Sequence, residues 1–219
     1  EGDKIAVGVS AGKDSLTLLC AMAAIRRFYP KKFELVAITV DMGFEGTDFS
    51  PIQKLCDELE VPYHVAKTEI AKIIFDVRKE SNPCSLCAKM RRGSLNTALV
   101  EKGIRKIALG HHYDDAVETL LMNLIFQGSI GTIPPLLQME KMPIQMIRPL
   151  CLIEEKEIAD YAERSGYAKQ VKLCPLEKVS SRAEVKQLVK QLEALNPDVR
   201  DSILSATENI KPTYLPKRL

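Results

Sequence analysis

Ile5-Ala6-Val7-Gly8-Val9-Ser10-Ala11-Gly12-Lys13-Asp14-Ser15-Leu16 is the stretch that decides the fold. An apolar run (4–9) passes through a turn of small and polar residues into a helix-periodic segment, 15–27. A short β-branched run reads as a buried strand, and a strand that turns straight into a helix begins a βαβ unit. The helix then offers unsatisfied backbone N–H groups at its N-terminus, a ready seat for an anion. Lys13 adds positive charge, and Asp14 with the hydroxyls of Ser10 and Ser15 adds polar ligands. The turn reads as a cradle for nucleotide phosphates.

Working outward, the same alternation continues. Strands are expected at 35–41, 63–67, 106–110 and 145–148, and helices at 50–59, 70–78, 86–102, 115–126 and 154–165. The pattern predicts an α/β fold with a Rossmann-like, parallel five-stranded sheet flanked by helices. In such sheets ligands gather at the carboxyl ends of the strands, near the reversal of strand order. Loops 10–15, 41–48 and 110–115 are therefore expected on one rim. Beyond Gly166 the pattern becomes helical, with one helix from 180 or 181 to 195, a break at Asn196-Pro197, and a second helix to 210. The expected organisation is an α/β domain over 1–166, with a C-x-x-C insertion near 80–92, and a helical tail over 167–219 carrying Cys174.

The 219 residues carry a net charge of +2, which announces no polyanion partner, although basic clusters stand at Lys89-Met90-Arg91-Arg92 and near the C-terminus. No run approaches the ~20 apolar residues of a membrane span, and no secretory leader is visible. A cytoplasmic location is expected, where the six cysteines are free thiols rather than a disulfide framework. Cys20, Cys56 and Cys151 read as small core residues.

Cys84, Cys87 and Cys174 read differently. Pro83-Cys84-Ser85-Leu86-Cys87 precedes a helix whose first turns carry Lys89, Arg91 and Arg92, and nearby cations favour thiolates. Two thiolates are too few for a zinc site or an iron–sulfur cluster, and Cys174 beside Pro175 is the natural third. Three would leave one iron of a [4Fe–4S] cluster open to an external sulfide. A zinc site closed by another residue, and a redox-active C-x-x-C pair with Cys174 merely buried, are the other readings. Farther on, Gly110-His111-His112-Tyr113-Asp114-Asp115 allows a tight exit from a strand. Asp115 is placed to cap the next helix, and Asp114 to hold Mg²⁺ or orient reacting groups.

The phosphate turn is no Walker A loop, since Val7 stands where its first glycine belongs and Asp14 follows Lys13. Residues 10–15 instead resemble the Ser-Gly-Gly-x-Asp-Ser signature of the PP-loop ATP pyrophosphatases, with Ala11 in place of the first glycine. The stretch from Gly110 to Thr119 is similar to the Gly-His-x-x-Asp-Asp-x-x-Glu-Thr segment of that superfamily. Pro-Cys-Ser-Leu-Cys-x-x-x-Arg-Arg-Gly, Ile133-Pro134-Pro135 and Ile147-Arg148-Pro149-Leu150 resemble the tRNA 2-thiocytidine synthetase family, over nearly the whole chain. A second Pro-Cys-x-x-Cys usual in that family is here only Leu173-Cys174-Pro175.

The resemblance implies a cytosolic homodimer with an adenine nucleotide alpha-hydrolase-like fold. It implies ATP on Ser10, Ala11, Gly12, Lys13, Asp14, Ser15, Asp41, Gly110, His111 and Asp115, together with Mg²⁺. Cys84, Cys87 and Cys174 would hold a [4Fe–4S] cluster, and Lys13, Arg91 and Asp114 would serve catalysis. The implied substrate is tRNA: the C2 oxygen of an anticodon-loop cytidine is adenylated and replaced by sulfur. The sulfur donor would be a cysteine desulfurase product or free sulfide. The competing expectations are another PP-loop enzyme, of the lysidine-synthase or nucleotide-ligase type with a structural zinc, and a zinc-stapled ATP-binding adaptor without turnover.

Overall fold

The computed structural model describes residues 1–78, 83–167, 174 and 181–214. Strand β1 (Asp3–Gly8) buries alternate side chains to opposite faces, as the period of two requires. Ile5 and Val7 join one apolar cluster and Ala6 the other. The first cluster takes in Leu16, Leu18 and Leu19 of α1 (Lys13–Phe28), Ile52 of α2 (Ser50–Glu58) and Ile158 of α6 (Glu155–Ser165). The second takes in Val36 and Ile38 of β2 (Phe33–Asp41) and Leu99 of α4 (Pro83–Glu101). Helices thus cover both faces, which is why the central strands are apolar on both.

The remaining strands are β3 (Tyr63–Lys67), β4 (Lys106–Ala108), β5 (Leu136–Gln138) and β6 (Gln145–Ile147), in the order β3-β2-β1-β4-β6-β5. Five strands are parallel, as expected, but the sheet has six: β5 runs antiparallel along the edge of β6. Its three residues are all exposed, so no alternation marks them in the sequence. Strand order reverses between β1 and β4, and the crevice beyond their carboxyl ends is where a ligand belongs in such a sheet.

The chain divides into two compact units, Glu1–His112 with Pro135–Glu177, and Tyr113–Pro134 with Lys178–Leu219. The first holds the sheet, and α3 (Ile70–Lys72), which widens into a π-helical turn over Ile73–Arg78. The second holds α5 (Tyr113–Met122) with its π-helical extension Asn123–Gln127, α7 (Ser181–Glu193) and α8 (Val199–Ser205). Inside it, α5 packs on both α7 and α8. Two boundaries differ from expectation. Helix α4 begins at Pro83, so the C-x-x-C lies in its first turn rather than ahead of it, and proline is well tolerated there. Helix α5 begins at Tyr113, so Asp115 is a first-turn residue and not the cap.

Candidate active site

The turn after β1 closes on itself through Ser15. Its Oγ accepts from the Ser10 backbone N–H at 3.1 Å and donates to the Gly12 carbonyl at 3.0 Å. Gly12 is the N-cap of α1, in extended conformation, and makes no side-chain cap bond. A glycine has no side chain to cap the helix, and the first-turn N–H groups of a helix are the kind of donors an anion takes. Ala11 sits at φ 61°, the left-handed region that an L-residue reaches at a cost of about 1–2 kcal/mol.

Lys13 Nζ donates to Asp14 Oδ1 at 2.8 Å and to Glu155 Oε1, from the start of α6, at 3.0 Å. Burial would lower the Lys13 pKa, but these two carboxylates raise it above the ordinary lysine value. The ammonium stays charged beside the turn. Behind it, the Tyr167 hydroxyl meets Thr17 Oγ1 in a short hydrogen bond and donates to the Lys13 carbonyl at 3.4 Å.

Across the crevice, β4 leads into Gly110. A Cβ on Gly110 would lie 3.0 Å from the Asp14 carbonyl carbon and oxygen and from the Ser15 nitrogen. The exit from β4 is thus pressed against the first turn of α1, which brings His111 to the phosphate turn. Arg148, directly after β6 and buried, donates from Nε to His111 Nδ1 at 3.3 Å. His112 is buried as well, its Nε2 3.9 Å from Asp14 Oδ1. Asp41, at the end of β2, accepts the Gly43 N–H at 2.9 Å, and its carbonyl accepts the Thr68 hydroxyl at 2.6 Å.

Cys84 and Cys87 are one helical turn apart on α4, Cys84 exposed and Cys87 half-buried, and Cys174 is half-buried. Burial pushes the Cys87 thiol up, Arg91 pulls it down, and Cys174 and Cys84 push it up again. Each of the other two thiols is thus an electrostatic neighbour of Cys87. Among the described residues no three His, Cys, Asp or Glu side chains are gathered as they would be around a single metal ion. The donor set is nevertheless of the type an iron–sulfur cluster uses: three thiols, a basic residue beside one of them and partial shielding from water. Of the remaining cysteines, Cys56 is buried as expected, while Cys20 and Cys151 are partly exposed.

Asp114 and Asp115 lie in the second unit, in the first turn of α5. Asp114 is buried and ion-paired with Arg200 of α8, which also reaches Glu193 at 2.6 Å. Arg182 of α7 donates to Asp115 at 2.8 Å and to Glu118 at 3.1 Å. The described contacts of these aspartates thus include ion pairs to the C-terminal helices, which sequence reading did not foresee. Glu155, Tyr167 and the Arg148–His111 bond were likewise not foreseen as parts of a site. Glu155 is 142 residues from Lys13, and no local spacing signals such a pair.

The PP-loop domain family matches residues 1–170. The tRNA-cytidine(32) 2-sulfurtransferase of Geobacter metallireducens is 40% identical over 218 residues, covering 98% of this chain and 85% of that protein. That of Geobacter sulfurreducens is 39% identical with the same coverage. Among solved structures, the U34-tRNA thiolase NcsA from Methanococcus maripaludis, with its [4Fe–4S] cluster, superposes with a TM-score of 0.76 at 28% identity, over 95% of this chain and 73% of that one. The phosphate turn at the strand-order switch and these likenesses agree: the chain belongs to the PP-loop family and, within it, to the tRNA sulfurtransferase enzymes.

Proposed function

We propose that this enzyme thiolates an anticodon-loop cytidine of tRNA at C2, in an ATP-dependent reaction. The observation that carries the reading is that one unit holds both an uncapped phosphate turn and Cys87 in electrostatic reach of Cys84 and Cys174. The phosphates of ATP sit on residues 10–15, with Mg²⁺ offsetting their charge and Asp41 near the nucleoside. Lys13 and Arg91 stabilise charge on the phosphates. The C2 oxygen attacks the α-phosphorus, pyrophosphate leaves, and the base becomes an adenylate. Sulfide then attacks C2, the C2–O bond breaks, and the oxygen departs on the phosphate of AMP, a far better leaving group than hydroxide.

Cys84, Cys87 and Cys174 would hold a [4Fe–4S] cluster, which when bound supplies an iron with no protein ligand as a carrier of sulfur. Burial holds the Cys87 thiol above its ordinary pKa, and Arg91 offsets part of that rise. Arg91 and Arg92 would meet tRNA phosphates, and a base in a single-stranded loop reaches the site without unpairing a helix. Sulfur comes from free sulfide or a cysteine desulfurase product, and the enzyme works in the cytoplasm as a homodimer.

The test is anaerobic reconstitution with iron and sulfide, followed by incubation with tRNA, ATP and sulfide. Pyrophosphate and AMP released in step with a 2-thiocytidine seen by nucleoside mass spectrometry is the expected result. Pyrophosphate release without any thionucleoside would overturn the assignment. A Cys174→Ser variant is expected to lose bound iron, and full retention would remove Cys174 from the ligand set.

A further inference from the structure

Lys13 is the first residue of α1, and its ammonium is held by two carboxylates. Nζ donates to Asp14 Oδ1 at 2.8 Å and to Glu155 Oε1 at 3.0 Å, with 23% of the Lys13 side chain and 26% of the Glu155 side chain exposed. Asp14 comes with the turn itself, whereas Glu155 is brought there by packing. It is the first residue of α6, whose start is fixed by a capping box between Glu154 and Glu157. Helix α6 packs on α1, with Ile158 in the same apolar cluster as Leu16 and Leu19. The carboxylate therefore arrives on a rigid element. The Lys13 carbonyl is tied as well, accepting from the Tyr167 hydroxyl at 3.4 Å. An ammonium has three N–H donors, so a phosphate oxygen can take the third without breaking the hold.

We propose that Glu155 is a positioning residue: its bond to Nζ holds the Lys13 ammonium at the phosphate turn before the nucleotide arrives, so that the charge is already in place when the α-phosphorus is attacked. This rests on the proposed function, which puts the phosphates of ATP on residues 10–15. Lysine has a long flexible stem, and an unheld ammonium would have to be ordered at every turnover. A group ordered beforehand needs no reorganisation as charge develops. The hold also carries a penalty, because a second carboxylate beside the ammonium repels the incoming phosphates. These two effects fall on different kinetic constants. Removing the Glu155 charge should ease nucleotide binding while loosening the group that acts in the transition state, whereas a distorted turn would weaken both.

The experiment compares wild type with Glu155→Gln, which keeps a side-chain oxygen and loses the charge. Steady-state pyrophosphate release at saturating tRNA should show kcat lowered roughly three- to thirtyfold, below the ~100-fold that a 1 Å misplacement can cost, with KM for ATP equal to or below that of wild type. In a Lys13→Met background the same substitution should change kcat no further. A KM for ATP that rises as kcat falls would overturn the proposal, as would an equal loss of kcat in both backgrounds. Restoration of kcat by added Mg²⁺ would overturn it too, assigning Glu155 to the metal instead. The second readout is hydrogen exchange of the ammonium groups in the ligand-free full chain labelled with ¹⁵N-lysine, the Lys13 signal being the one lost in Lys13→Met. In wild type that ammonium should exchange more slowly than the solvated lysines, and Glu155→Gln should bring it toward them. A wild-type Lys13 that exchanges like a solvated lysine would overturn the proposal. The wild-type measurement needs neither turnover nor a stable Glu155 variant. Slow exchange in a preparation that never releases pyrophosphate would support the hold on Lys13 while overturning the function; fast exchange in a fully active one would do the reverse.

Discussion

Replacing Gly110 by alanine tests whether the phosphate turn and the β4 exit form one rigid rim. The added methyl would lie 3.0 Å from three atoms, the Asp14 carbonyl carbon and oxygen and the Ser15 nitrogen, all of them backbone. No flexible side chain can swing away, and α1 cannot retreat, because Leu16, Leu18 and Leu19 are fully buried beneath it. The two segments must part by several tenths of an ångström. Overpacking of this kind costs about 1–3 kcal/mol. At about 2–4 °C per kcal/mol for a chain of this size, Tm should fall by roughly 2–12 °C. The same displacement moves His111 relative to residues 10–15, so ATP affinity should fall roughly tenfold, below the ~100-fold that a full 1 Å misplacement can cost. Differential scanning calorimetry and isothermal titration with ATP read both effects. Gly93→Ala is the control: it lies inside α4 with nothing within 4 Å of the added carbon. It should stabilise the chain by up to about 1 kcal/mol through helix propensity. A Gly110→Ala protein with undiminished Tm and unchanged ATP affinity would refute the contact on which the site is built.

Ala11→Gly relieves a left-handed alanine at φ 61°, a gain of about 1–2 kcal/mol reduced by the roughly 0.4–1 kcal/mol that glycine adds to unfolded-chain freedom. Urea denaturation should show a net stabilisation of about 0.5–1 kcal/mol, and a loss of that size would contradict the strained turn. Lys13→Met removes the cation held by Asp14 and Glu155, and single-turnover pyrophosphate release should slow by about 100- to 1,000-fold. A rate within threefold of wild type, roughly, would exclude Lys13 from phosphate stabilisation. Arg200→Met strips buried Asp114 of an ion-pair partner and should cost roughly 3 kcal/mol, visible as faster hydrogen exchange in α5 and α8; unchanged exchange would show that the pair contributes nothing there. Burial pushes the Cys56 thiol up to about 12, from an ordinary value of 9.0. The folded chain keeps a proton that the unfolded chain sheds, so this contribution is complete below pH ~9 and disappears as pH climbs toward ~12. Cys56→Val should flatten the fall in stability over that window, and an identical slope would contradict the shift.

The phosphate turn was legible because strand, turn and helix start are contiguous, and apolar β-branched residues next to Gly12, Lys13 and Asp14 leave few other readings. The parallel strands were legible for the same local reason. Strand β5 was not, because its three exposed residues exist as a strand only by pairing with β6. The extra turn at the start of α4 is not legible in the sequence, since Pro83 reads equally as a loop residue or a first helical residue. At the site, Lys13 and Gly110 could be nominated from motifs, but their partners could not. Glu155 and Arg200 are ordinary charged residues in their own neighbourhoods, and Arg148, although it stands in a motif shared with the family, has nothing in its immediate sequence that names His111 as its partner.

Local chemistry in the chain determined that a phosphate turn would form between a strand and a helix, and that thiols would stand beside basic residues on α4. Tertiary structure alone decided which charges those groups meet: Lys13 between two carboxylates, His111 under a buried arginine, and Asp114 against Arg200. The reason is one of range. Backbone geometry and periodicity act over a few residues and can be read in order along the chain. Side-chain pairing acts across a few ångströms of space, and only the packing of distant segments brings the partners within that reach.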